Sequence, residues 1–86
     1  MFIESVLKEC VRARDMNGDF NSAHEGYAVI LEELDELWDE VRKKYNERDH
    51  IAMYNELIQI AAMAYRMSED IIPLQCRKYK HDQKEG

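Results

Sequence analysis

The residues with most chemistry to offer lie in the run Ile30-Leu-Glu-Glu-Leu-Asp-Glu-Leu-Trp-Asp-Glu-Val41, which holds six carboxylates in twelve positions. On a helix turning about 100° per residue, Leu31, Leu34, Trp38 and Val41 share one stripe, which reads as a buried face. Glu33, Glu36 and Glu40, at i, i+3 and i+7, line a second stripe along its edge, while Glu32, Asp35 and Asp39 project toward solvent. Carboxylates crowded on the shoulder of a buried face repel one another unless a cation sits among them. Glu56 and Gln59 stand at i and i+3 in a later apolar segment, with Glu56 at the edge of its face. A short link would make the two segments antiparallel helices with facing shoulders. Three or four oxygen ligands would then surround a hard cation such as Mg²⁺, which keeps several waters and suits phosphate substrates. The plain alternative is a solvated acidic surface, because glutamate is a good helix former.

The elements that must position these groups are helical. Phe2, Val6, Cys10 and Ala13 recur at helical spacing, giving a short amphipathic helix from Phe2 to about Arg14. Asp15-Met-Asn-Gly-Asp-Phe-Asn21 is dense in turn formers and breaks the pattern. Ser22-Ala-His-Glu25 fits a capping box, so the second helix starts there and its stripe continues to about Tyr45. Lys43 and Lys44 near its end suit the negative pole of the helix dipole. After Asn46-Glu-Arg-Asp49, with Asp49 as N-cap, a third helix runs from Ile51 until Pro73 stops it. Its middle, Leu57 to Ala64, is apolar on nearly every side apart from Gln59, which predicts burial against a partner subunit. Ala61, Ala62 and Ala64 would let a neighbouring helix approach closely. The expected architecture is all-α. A short N-terminal helix and a long antiparallel hairpin make one domain over 1–77, completed to a four-helix bundle by oligomerisation, with a polar tail over 78–86.

Bulk properties narrow the partners. Eighty-six residues make one domain that gains from self-association. A net charge of −6 argues against a nucleic-acid polymer or anionic lipid as main partner. A nucleotide remains possible if metal ions carry the positive charge. Cys10 and Cys76 lack metal-type spacing and read as free thiols in a reducing cytosol. The opening Met1-Phe-Ile-Glu-Ser does not read as a signal peptide, and the longest apolar run, Ile60 to Tyr65, is far below the roughly 20 residues that span a bilayer. A cytoplasmic protein is expected.

Glu32-Glu33-x-x-Glu36, a gap of nineteen residues, then Glu56-x-x-Gln59 resembles the EExxE…ExxD pattern of the MazG-like, all-α nucleoside triphosphate pyrophosphohydrolases. His24-Glu-Gly-Tyr leading into Leu31-Glu-Glu-Leu-Asp-Glu-Leu, and Ala61-Ala-Met-Ala-Tyr-Arg on the later helix, look similar too. The likeness covers roughly Ser22 to Ile72. It implies a homodimer or homotetramer that cleaves a (d)NTP to (d)NMP and pyrophosphate with Mg²⁺, or Mn²⁺ in its place. Carried over by position, Glu33, Glu36 and Glu56 would be the catalytic metal ligands, with Gln59 in the fourth place. There the family pattern has aspartate, and a neutral amide oxygen binds Mg²⁺ less well than a carboxylate. Asp70 is a candidate substitute, and Glu32 and Glu40 are candidate general bases. The glutamine also leaves open a non-catalytic relative, binding nucleotide or serving as a regulatory subunit.

Other constellations carry less. Asp15-x-Asn17-Gly-Asp19-x-Asn21 has the oxygen spacing of a calcium loop, but Phe20 stands where its glycine belongs and Gly26 where its bidentate acid belongs. His24 reads as an exposed histidine near a helix start. Trp38 is placed in core or interface packing, with base stacking as the alternative. Arg66 meets a phosphate or pairs with an acid, and Met53, Met63 and Met67 fill the core.

Overall fold

The computed structural model describes residues 1–73; the expected tail and Cys76 lie outside them. Three helices are formed: α1 (Phe2–Asn17), α2 (Ala23–Val41) and α3 (His50–Asp70), with a single 3-10 turn at Tyr45–Glu47. The middle layer is α3. Both other helices pack on it, and α1 and α2 scarcely touch. No described helix is long and apolar enough to cross a membrane.

Helix ends follow local chemistry. α1 runs past the expected Arg14 and takes Asp15, Met16 and Asn17 into its last turn, so the calcium-like segment is partly helix. It stops at Gly18, whose φ of 74° and ψ of −170° only glycine adopts without strain. The Gly18 N–H returns to the Arg14 carbonyl at 2.8 Å. The capping box forms as read: Ser22 Oγ accepts from the Glu25 N–H at 3.1 Å. Its reciprocal bond lands one residue early, with Glu25 Oε1 accepting from the Asn21 N–H at 2.8 Å. α2 ends at Val41, short of the expected Tyr45. A clasp takes over there: Glu40 holds Lys43 Nζ at 3.0 Å and accepts the Asp49 N–H at 2.8 Å. Asp49 in turn caps α3 by accepting from the Ala52 N–H at 3.0 Å.

The buried core lies between α1 and α3. It comprises Val6, Cys10 and Ala13 of α1, Phe20 of the turn, and Ala62 and Met63 of α3. Ala62, fully buried, lets α1 approach until Cys10 Sγ reaches the Ala62 carbonyl at 3.5 Å. The small residues of α3 therefore receive α1.

Helix α2 is seated differently from the expectation. Gly26 is its one buried residue; a Cβ there would come within 2.8 Å of Met67 Sδ, so the glycine permits the close approach. Beyond it, Val29, Ile30, Glu33, Leu37 and Glu40 are half-buried. The stripe expected to be buried is largely open, with Leu31 42%, Leu34 43% and Trp38 59% exposed. The physical reason is that α1 occupies the best-packed face of α3, and α2 docks through the stripe that begins at its glycine. In the stretch Leu57 to Ala64, expected to be buried against a partner subunit, Leu57 and Ala64 are exposed in the single chain and residues 58–63 are half-buried or buried.

Candidate metal centre

That seating of α2 turns the acidic shoulder toward α3. Glu33 and Glu36 stand one turn apart on α2, and Glu56 meets them from the second turn of α3. One carboxylate oxygen from each lies within 4.8 Å of the other two. No described lysine, arginine or histidine forms an ion pair with any of the three. Burial, reinforced by contact with Glu56 and the charge of Glu36, pushes the Glu33 carboxyl up to about 8. Contact with Glu56 raises the Glu36 carboxyl as well. Glu56 Oε2 is buried without a hydrogen-bond partner among the described residues. Three converging carboxylate oxygens could hold a metal ion.

The fourth position of the motif faces elsewhere. Gln59 lies against Glu9 of α1, a carboxylate held below its usual range chiefly by Arg12 and also by the Gln59 amide. Arg12 Nε donates to Glu9 Oε1 at 2.7 Å. Gln59 and Glu33 line one cavity, so the glutamine borders the site from the α1 side.

Asp70 is no substitute for the missing aspartate. It accepts from Arg14 Nη2 at 2.6 Å and from the Phe20 N–H at 3.0 Å, and so fastens α3 to α1 and the turn. Those bonds hold its carboxyl below the ordinary value despite burial. Glu40 is no candidate base either, because its oxygens are engaged in the clasp between α2 and α3. Glu32 and His24 are exposed. Trp38, offered as a residue for core packing or base stacking, sits on the open face of α2 and outside the cavity beside Glu33. Arg66, the other residue proposed for substrate, does line that cavity.

Sequence reasoning missed Glu9, Arg12 and Phe20. The first two read as polar-face residues of α1, and their spacing carries no sign that α1 crosses α3 at Gln59. Fold and site together define an all-helical chain with three converging carboxylates. Comparison with protein-family models, curated proteins and solved structures returned no match.

Proposed function

We propose that the protein is a Mg²⁺-dependent nucleoside triphosphate pyrophosphohydrolase that converts a (d)NTP to (d)NMP and pyrophosphate in the cytoplasm. The observation that carries the reading is the convergence of Glu33, Glu36 and Glu56 without a cationic partner. The same three residues stand at three of the five acidic positions of the MazG-like pattern, whose final aspartate is Gln59 here. When bound, Mg²⁺ neutralises triphosphate charge and lowers the pKa of a coordinated water. The chain's part is to hold two carboxylates from α2 and one from α3 in a fixed triangle. Binding of the cation would displace the proton that burial and the neighbouring acids favour on Glu33.

The exposed stripe Leu31–Leu34–Trp38 supports a homodimer or homotetramer in which a second hairpin completes a four-helix bundle. Sedimentation showing a stable monomer at micromolar concentration overturns that part.

Phosphorus NMR on mixed dNTPs and NTPs with Mg²⁺ tests the activity. Monophosphate and pyrophosphate should appear with the natural chain. Glu33→Gln or Glu56→Gln should slow turnover by roughly 10²-fold or more while leaving helicity intact. Undiminished turnover in either variant removes the assignment. One observation favours a second reading, a non-catalytic oligomer of the same fold that binds nucleotide or regulates a partner: Gln59 turns to Glu9 and adds no fourth carboxylate. Mg²⁺-dependent thermal stabilisation without turnover of any nucleotide selects it.

A further inference from the structure

Arg66 is the most deeply buried charged side chain described, 2% exposed. A guanidinium taken out of water needs a carboxylate or another anion to offset its lost hydration. Arg66 forms no ion pair with any described acid, because Asp70 is taken by Arg14. Its neighbours are weaker partners. Nη2 donates to the Gly18 carbonyl at 2.7 Å, Nη1 approaches Met63 Sδ at 3.3 Å, and the Phe20 ring lies 4.3 Å from the guanidinium carbon. Nε is buried without a hydrogen-bond partner among the described residues.

The side chain lines a cavity of about 360 Å³ between α1, the Gly18–Phe20 turn and the facing sides of α2 and α3. Four acids border the same cavity, and three are committed elsewhere. Glu9 is held by Arg12, Asp19 by Arg14 Nε at 3.0 Å, and Glu25 by the Asn21 N–H. The fourth is Glu33, a member of the trio. After these pairings, the cavity keeps one buried cation with no described acid at ion-pair distance, the charges of Asp70 and Glu9 reaching it only from further off. At another part of its wall it keeps a carboxylate of the candidate metal centre.

We propose that this cavity binds a phosphorylated small molecule, with Arg66 as the contact for one of its phosphate groups and the Glu33 wall turned toward the metal-binding carboxylates. Arg66 lines the cavity, so a phosphate oxygen there would bring to the guanidinium a negative charge that no described acid brings to ion-pair distance, a charge-assisted bond of the kind for which the guanidinium fork is suited. The volume is in the range of small-ligand pockets. The inference rests on the proposed metal-dependent function for the second end of the ligand, and on the cavity alone for the anion site. The Gly18 carbonyl and the Phe20 ring fix the guanidinium before any ligand arrives, so little ordering is needed on binding.

The test uses the full chain in EDTA, with inorganic pyrophosphate as the probe at fixed ionic strength, followed through the Nε–H resonance of Arg66. Saturable binding that shifts this resonance is expected, with affinity in Asp35→Asn, which removes a solvent-facing acid, within about twofold of the natural chain. Arg66→Gln should bind at least tenfold more weakly. An Arg66 Nε–H that stays in place through saturation overturns the proposal, as does undiminished binding by a folded Arg66→Gln. Should that variant fail to fold, the resonance of the natural chain decides. A chain that hydrolyses nucleotides with Mg²⁺ yet binds no pyrophosphate in EDTA refutes the Arg66 site and leaves the metal centre standing. A chain that binds pyrophosphate through Arg66 but hydrolyses no nucleotide does the reverse.

Discussion

The two sides of α3 differ in what holds them. On the α1 side, small and medium apolar groups interlock around Ala62, and polar ties close the edge: Arg14 to Asp70 and Glu69, the Phe20 N–H to Asp70, and Arg66 to Gly18. On the α2 side, one glycine is buried, the larger apolar side chains look outward, and the contact includes three carboxylates that repel one another. The first side is built for stability. The second stores unfavourable charge where a cation would relieve it, a division of labour common to proteins whose sites cost stability that the core supplies.

Substitutions should separate the two sides in size of effect. Phe20→Ala removes a core ring and its contact with Arg66, and is expected to cost about 3–5 kcal/mol of unfolding free energy, measured by urea titration. In a small domain that is a large share of the total. A loss below about 1 kcal/mol would mean that the α1 side is not the stabilising half. Gly18→Ala forces a Cβ into a backbone region that excludes it and should cost about 1–3 kcal/mol, although nothing lies near enough to clash with the new methyl.

On the α2 side the informative variable is pH. The folded chain raises Glu33 to about 8, so it holds that proton more tightly than the unfolded chain does. This contribution to stability is complete below the ordinary carboxyl value and is lost as pH rises through about 8. Asp70 and Glu9 are lowered and act oppositely, with stability present at higher pH and lost on acidification. Metal-free protein should therefore melt at falling temperature from pH 5 to pH 8, and saturating Mg²⁺ should flatten that slope. Persistence of the slope in Glu33→Gln would assign it to another group. Smallest of all, Leu34→Lys on the open stripe should change the stability of an isolated chain by less than about 0.5 kcal/mol. A larger loss that grows with protein concentration reports the partner surface instead, which sharpens the contrast between the sides.

Much of this was legible before any coordinates. Ser22 and Asp49 announce α2 and α3 because caps are local: an oxygen and an N–H three residues away settle them. The apolar spacing of α1 and α3 reports helix for the same reason. Glu33, Glu36 and Glu56 were also readable, because i, i+3 spacing and a short link bring acids on antiparallel helices into reach. The sequence misled on rotation. Leu31, Leu34 and Trp38 form the more apolar stripe of α2, yet Gly26 seats the helix on the neighbouring one, since close backbone approach at Met67 outweighs the area of side chains that a single chain leaves uncovered.

By itself, then, the order of residues determined the three helices, their caps and the acids that share a face, all of which depend on neighbours within about one helical turn. Only the tertiary structure decided that α3 is the central layer, that Asp70 belongs to Arg14, that Gln59 looks to Glu9, and that Arg66 is buried with no ion pair to a described acid. Those outcomes depend on which side chains meet across 48 to 56 positions of chain, and such meetings are set by how helices stack, which periodicity along one helix does not encode.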